Sequence, residues 1–419
     1  MKRRQAFKFE LMPNGEQSRK IRSFIGCGRF VFNKALELQK KAYEEDKKKL
    51  KFGELCRLLT EWRNSKETCW LADAPAQALQ QSLKDLEKAY TNFFAKRANF
   101  PRFKKKGQSD SFRFPEPKQF KLDEKNHRIF LPKLGWMRYR KSREIVGALR
   151  NITVSFCGEK YFAAIQTELE VNPVVRQGSA VGIDMGIKRF ATLSDGTYFD
   201  PLNSFRKHEA ALRKAQQSLS RKEKSSHNRR KAKAKVRRIH VRIRNARRDY
   251  LHKITHFVSK NHTTVCIEDL QIRNMSQSAK GTVEEPGKRV RAKSGLNKSI
   301  LDQGWYEFRR QLQYKLEWRG GLLIAVPPHY TSQTCPRSEC KYQSFTNRLT
   351  QEKFKCMQCG FLGHADEVAA INVLERAGHA QLACGEGHEP FREAGTHRSN
   401  LKEGIHPSLS GTAVGITSL

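Results

Sequence analysis

Acidic charge is what this chain has too little of. Its 419 residues carry 42 Asp+Glu against 81 Lys+Arg, a formal net charge of +39. So unbalanced a surface repels itself unless a polyanion lies against it, which makes nucleic acid the leading partner. Long apolar runs are missing as well. No stretch of about 18 apolar residues occurs, so no helix of the sequence reads as bilayer-spanning. The basic start, MKRRQAFKFELMPNGEQ, lacks the apolar centre of a signal peptide. A disulfide framework is absent too: of ten Cys, four crowd into one short segment and the rest stand singly. These absences lead us to expect a cytoplasmic protein, nucleoid-associated when bound to DNA, with no membrane partner. The length allows two or three domains with cores of their own.

What is present divides along the chain. QAFKFELMP alternates like a strand that Pro13 ends, and EQSRKIRSFIGCGRFVFNKALELQKKAYEE follows with helical periodicity. Gly26 and Gly28 are expected to break that helix. From about Ala74 to Ala98, Leu79, Leu83, Leu86 and Tyr90 recur at helical spacing, so residues 14–98 read as a helical subdomain. Residues 99–178 change character. NFPRFKKKGQSDSFRFPEP is basic with interleaved aromatics, and RIFLPKLGWMRY and NITVSFCGEKYFAAIQTE alternate as short strands. A small barrel or sheet is expected there, completed by the N-terminal strand. Arg102, Lys104, Lys105, Lys106 and Arg113 suit phosphate contact, with phenylalanines for base stacking. Taken singly, Phe100, Phe103, Phe112 and Phe114 read more simply as barrel core.

Beyond Val181, AVGIDMGIKRFATLSDGTYF reads as a hairpin turning at Asp195–Gly196. The very basic stretch 205–248, which contains Arg229, Arg230 and Lys231, favours helix by its Ala, Lys and Arg content. We read it as a phosphate-tracking helix pair in preference to a merely solvated helix. A mobile loop is expected over 276–296, then a helix in DQGWYEFRRQLQYKLEWRGG stopped by Gly320–Gly321, then the strand LLIAVPP. Strands separated by helices predict an α/β core.

Three acids stand out by context. Asp184 (AVGIDMG) and Glu268 (TTVCIEDL) each follow an apolar, β-branched run, and Asp366 (GHADEVAAINVL) opens a segment where Val368, Ile371 and Leu374 fall at helical spacing. Two carboxylates on strands and one at a helix start can meet at one edge of a sheet. Hard oxygen ligands of this kind hold Mg²⁺ or Mn²⁺, and a pair of such ions is the usual device for splitting a phosphodiester in line. Alone, Asp366 reads equally as a helix cap; the three contexts together favour a shared site. In TSQTCPRSECKYQSFTNRLTQEKFKCMQCG, Cys356 and Cys359 form a CxxC knuckle and Cys335 and Cys340 a looser pair. Four thiolates on two turns match a structural Zn²⁺ site better than a redox pair or free thiols. Cys27, Cys56, Cys69, Cys157, Cys266 and Cys384 read as core or incidental thiols.

Together these segments resemble the TnpB (OrfB) family of transposon-encoded proteins, themselves similar to type V CRISPR effector nucleases. The resemblance rests on AFKFELMPNGEQ, FPRFKKKG, DSFRFP, VGIDMGIKRFATLSDG, CIEDLQIRNM, LNKSILDQGWYEFRRQL, TSQTCP, FKCMQCG and AAINVL, and covers about residues 1–378. It implies a RuvC-like ribonuclease H fold (179–331 and 361–378) with an inserted zinc ribbon (332–360). It also implies an oligonucleotide-binding β-barrel (1–13 and 99–178) interrupted by a helical recognition lobe (14–98). Segment 379–419 reads as a disordered tail. The implied activity is RNA-guided, metal-dependent DNA cleavage beside a short transposon-adjacent motif, by a monomer holding one guide RNA from the element's end and acting on double-stranded target DNA. By the same resemblance Asp184, Glu268 and Asp366 match the catalytic, magnesium-binding carboxylates, and Cys335, Cys340, Cys356 and Cys359 the zinc ligands. One departure is local: where the family commonly has Asp-Arg-Asp-x-Asn, this chain has His364-Ala365-Asp366-Glu367-Val368. The alternatives are a transposase or DNA-binding accessory protein of the element, and a non-cleaving RNA-guided repressor.

Overall fold

The computed structural model describes residues 1–47, 49–172 and 178–378. They form two compact units that divide after Val171. Segment 379–419, with its expected tail and Cys384, lies outside the described residues.

The first unit begins with strand β1 (Lys2–Met12), and Pro13 stands just beyond its end. Helix α1 (Gly15–Asp46) starts at once because Asn14 and Gln17 close a capping box: Gln17 N–H donates to Asn14 Oδ1 at 2.8 Å, and Asn14 N–H donates to Gln17 Oε1 at 3.1 Å. The expected break at Gly26 and Gly28 is not there; α1 runs through both. Gly28 marks a close approach instead. A Cβ at this position would lie 2.9 Å from Ser82 Oγ, so the glycine lets another helix press against α1. The flanking Phe24, Ile25, Val31 and Phe32 are buried and hold the helix where its propensity is weak.

Helices α2 (Phe52–Asn64) and α3 (Ala76–Phe94) follow, the latter burying Leu79, Leu83, Leu86 and Tyr90 as their spacing predicts. Then come strands β2 (Ser111–Phe114), β3 (Lys121–Asp123), β4 (Arg128–Leu131), β5 (Gly135–Tyr139), β6 (Ala148–Cys157) and β7 (Lys160–Glu170). They make one seven-stranded sheet ordered β2-β6-β7-β1-β5-β4-β3. The N-terminal strand lies in its middle, antiparallel to β7 from Lys2 opposite Glu170 to Leu11 opposite Tyr161. Sheet and helices bury one continuous apolar cluster that includes Phe112 and Phe114. Phe100 and Phe103, expected in that core, are instead 40% and 47% exposed. The ammonium of Lys40 lies 5.5 and 5.1 Å from their ring centres, and a surface cation over an aromatic face offsets the lost burial.

In the second unit, strands β8 (Ala180–Asp184), β9 (Ala191–Leu193) and β10 (Tyr198–Phe199) form an antiparallel meander, turning at Asp195–Gly196 as expected. Helices α4 (Ser204–Ser220) and α5 (His227–Asn261) are the basic pair. Strand β11 (Thr264–Glu268), the single turn α6 (Ile272–Met275), α7 (Val290–Gln303), α8 (Trp305–Glu317) and β12 (Leu322–Val326) follow. The loop expected over 276–296 is shorter than its composition predicts. Lys293 Nζ donates to the carbonyl of Met275 at 2.8 Å, and Asn297 Nδ2 donates to those of Ser276 and Gln277, both at 3.0 Å. These bonds draw the start of α7 back to Val290. The helix expected from Asp302 is really two, separated at Gly304.

The chain closes with strands β13 (Lys353–Lys355) and β14 (Leu362–His364) and helix α9 (Ala365–Arg376). The main sheet is ordered β10-β9-β8-β11-β12, with β8, β11 and β12 parallel. Burial on both faces explains why the parallel strands read as unbroken apolar runs. Helix α9 lies directly on β8: a Cβ at Gly182 would sit 2.0 Å from the carbonyl oxygen of Ala370, a contact no side chain permits. No described helix is long and apolar enough to cross a membrane.

Candidate active site

Parallel pairing fixes two of the three acids. Ile183 on β8 is in register with Ile267 on β11, so Asp184 and Glu268 end adjacent strands side by side. Open α/β sheets place their ligand crevices just past such carboxyl ends. Asp366 arrives from elsewhere, in the first turn of α9. Its helix starts where His364 Nδ1 accepts the Asp366 N–H at 3.2 Å. All three carboxylates line one cavity of about 360 Å³, together with Lys188, Arg189, Thr331, Ser332, Arg348 and His364.

Electrostatics report the same proximity. Burial, then the charges of Glu268 and Asp366, push the Asp184 pKa well above the usual carboxylate range; Arg348 and the Met185 backbone N–H pull against them. Asp184 keeps partial solvent access through the cavity, yet protein crowds its carboxylate closely. Burial likewise raises Glu268, while a hydrogen bond from Thr331 and the charge of Arg376 oppose the shift. At Asp184 burial and the two neighbouring carboxylates disfavour ionisation, and a multivalent cation removes the conflict.

Several cavity residues had no signal in the sequence. Arg348 hydrogen-bonds Ser332 Oγ at 2.8 Å and the Gln351 carbonyl at 3.0 Å, which holds its guanidinium in place. Lys188 pairs with Glu352 at 2.8 Å. Thr331 lies in the quoted TSQTCP motif, but its hydroxyl donating to Glu268 Oε1 at 2.8 Å could not be read there. The local departure also resolves. Val368 is buried with Cys335, Phe354, Cys356, Phe361 and Ala365, so an apolar residue suits it, and His364 acts as the helix cap.

The four cysteines converge. Cys335, Cys340, Cys356 and Cys359 offer Sγ atoms all within 4.8 Å of one another, a set able to hold a metal ion. Cys335 faces Cys359 and Cys340 faces Cys356, each pair at 3.6 Å. Tetrahedral thiolates about 2.3 Å from Zn²⁺ would stand roughly 3.8 Å apart, close to the spacing of the two facing pairs, so the donor set suits that ion. Burial raises the Cys335 thiol, whereas at Cys359 the cost of burial is outweighed by hydrogen bonds from the Phe361 backbone and the other thiols, bringing it down to about 7. Strands β13 and β14 complete this ribbon, and β14 leads straight into the helix that carries Asp366. Of the remaining cysteines, Cys27 and Cys266 are buried and Cys69 is exposed.

The expected phosphate contacts fall into two groups. In the first unit Arg102, Lys105 and Lys106 are exposed, while Lys104 and Arg113 share Asp85 at 3.6 and 3.4 Å. In the second, Arg230 and Lys231 are exposed; Arg229 donates to the carbonyls of Leu219 and Lys222 at 3.1 and 2.6 Å and so closes the turn between α4 and α5.

These features define a mixed α/β protein with a carboxylate cavity beside a four-cysteine ribbon. Residues 164–279 match the family model described as "Probable transposase" (OrfB of IS605), residues 305–373 the "Cas12f1-like, TNB domain", and residues 1–48 a "Helix-turn-helix domain". Over that last span the structure has one strand and one helix, with no second helix before residue 48. Among relatives, the Escherichia coli (strain K12) protein named "Putative RNA-guided DNA endonuclease InsQ" is 57% identical over 387 residues, 92% of this chain and 95% of that one. A Streptomyces pristinaespiralis protein named "Putative RNA-guided DNA endonuclease" is 33% identical over 97% of this chain and 98% of its own. The fold resembles that of Cas12f1 in a cryo-EM structure titled as its complex with sgRNA and target DNA, with a TM-score of 0.51, 11% identity, and coverage of 89% of this chain and 98% of that one. The chain belongs to the TnpB (OrfB) family.

Proposed function

We propose that this chain is an RNA-guided DNA endonuclease of a transposable element. Asp184, Glu268 and Asp366 would hold two divalent cations, Mg²⁺ or Mn²⁺, in the cavity they line. The observation that carries this reading is the meeting of three carboxylates, from strand ends 84 residues apart and a distant helix, in one basic-rimmed cavity. When bound, such ions activate the attacking water and stabilise the leaving oxygen. The chain's own groups do the rest. Asp184, buried and facing the other two acids, would be held in its carboxylate form by such cations. Arg348, whose hydrogen-bond partners are neutral, brings positive charge to where a scissile phosphate would lie.

The second unit is read as a RuvC-like nuclease core in which Zn²⁺ on Cys335, Cys340, Cys356 and Cys359 stabilises the ribbon from which Arg348 projects. The first unit is read as a wedge-like β-barrel domain carrying a helical recognition lobe. Guide RNA and double-stranded DNA are the partners, the sequence being read by base pairing and the duplex held by its shape and phosphates. Support for this comes from the relatives' names and from the basic residues exposed in both units. The test is plasmid cleavage with guide RNA and Mg²⁺. Asp184→Ala should cut at least a thousandfold more slowly, by roughly the size of effect that loss of a catalytic group produces, while still binding guide and target. Persistent cutting by that variant would refute the assignment.

A further inference from the structure

Segment 331–335 touches three parts of the site. Thr331 is buried, and its hydroxyl has two acceptors within reach: Glu268 Oε1 at 2.8 Å and the Pro328 carbonyl at 3.2 Å. One hydroxyl proton serves one acceptor well, and the nearer carboxylate makes the stronger bond. Oε2 of Glu268 takes no protein hydrogen bond among the described residues, which leaves it for a ligand. The backbone of Thr331 is itself pinned. Asn372, buried on α9 six residues beyond Asp366, donates through Nδ2 to the carbonyls of Thr331 at 2.7 Å and Thr334 at 2.8 Å. Thr334 immediately precedes Cys335 of the thiolate cluster. A single amide on the helix of one acid therefore clamps the segment that orients another, next to the first thiolate.

The geometry points to Thr331 as a positioning residue: its hydroxyl, held in place by the Asn372 amide, fixes the rotamer of Glu268 so that one oxygen stays turned to the divalent-cation site. The inference rests on the proposed nuclease reading. Glu268 has three rotatable bonds and sits at a strand end, so without the hydroxyl its carboxylate samples orientations that present no oxygen to the cation. Partners that orient a metal ligand commonly change metal affinity or activity by about 10–100-fold when removed.

The test uses the purified full-length chain. Mn²⁺ binding is titrated by calorimetry, and the rate of plasmid cleavage by the guide-loaded chain is followed against MgCl₂ concentration. Thr331→Val keeps the shape and loses the hydroxyl. It should weaken Mn²⁺ binding about tenfold and raise the Mg²⁺ concentration needed for half-maximal cleavage by a similar factor, with guide binding unchanged. Thr331→Ser restores the donor and should recover most of both. Normal Mn²⁺ and Mg²⁺ responses in Thr331→Val would overturn the inference. Equal damage in Thr331→Ser would overturn it as well, because packing and not the hydroxyl would then be what matters. If Thr331→Val melts below the assay temperature, Thr331→Ala against Thr331→Ser gives the same contrast. Asp184→Ala separates the two levels. If it binds Mn²⁺ and cleaves like the parent, the nuclease assignment falls; if it fails on both counts while Thr331→Val is normal, only the positioning role falls.

Discussion

At the scale of the residue, Asp184 shows what the site does to the fold. Its raised pKa means that the native chain holds a proton there to higher pH than the unfolded chain does. In the absence of divalent cations, the contribution of Asp184 to stability is therefore greatest at low pH and falls as pH rises from the ordinary carboxylate value through the native one. Asp184→Asn removes the ionisation and keeps the shape. We expect metal-free Asp184→Asn to melt higher than the parent at neutral pH, by about 2–4 °C for each kcal/mol of relieved strain in a unit of this size. The gap should close as pH falls below about 4, where the parent is protonated in both states. Mg²⁺ should reverse the order by stabilising the parent alone. A lower metal-free melting temperature for Asp184→Asn at neutral pH would show that the carboxylate is satisfied by protein groups and not by a cation.

At the scale of the element, the contact between α9 and β8 decides whether the third acid reaches the other two. Gly182 stands two residues before Asp184, and the Ala370 carbonyl occupies the space a side chain would need. Gly182→Ala must push α9 outward, carrying Asp366 with it. Overpacking of this kind costs about 1–3 kcal/mol, and a carboxylate displaced by about 1 Å costs on the order of a hundredfold in rate. Cleavage by guide-loaded Gly182→Ala should fall by more than its melting temperature accounts for; an unchanged rate would mean the helix does not set the site. This contact also shows what the sequence could carry. The apolar runs before Asp184 and Glu268 and the spacing after Asp366 announced strands and a helix, because periodicity records which face is buried. The cysteine segment was legible for a similar reason, since metal ligation needs its residues on short turns. Breaks and boundaries were not. Gly26 and Gly28 look like a stop until α3 is present to press on Gly28, and the loop before α7 shortens only because Lys293 and Asn297 reach back to the turn after α6. Thr331 and Asn372 stayed silent because their partners lie far away in sequence.

At the scale of the whole molecule, the excess of 39 positive charges is spread over both units, and the chain has no carboxylates left to offset it. Guide binding that neutralises several phosphates releases their counterions, so affinity should fall steeply with salt. With about 6–10 phosphate contacts, the guide dissociation constant should rise roughly a thousandfold or more between about 50 and 200 mM salt. A flat response, measured by filter binding on the full-length chain, would refute an electrostatic hold. Two neighbouring arginines sharpen the test. Arg230 is exposed on α5 with no acceptor among the described residues, whereas Arg229 spends its guanidinium on Leu219 and Lys222. Arg230→Ala should lower the slope of log affinity against log salt by about 1 and leave the melting temperature alone. Arg229→Ala should do the reverse, because what it loses is the closure of the α4–α5 turn, worth about 1 kcal/mol for hydrogen bonds to one part-buried and one exposed carbonyl. If both variants shift the slope equally, the turn contact is not retained when RNA binds, and the two helices hold the guide through a rearranged set of basic residues.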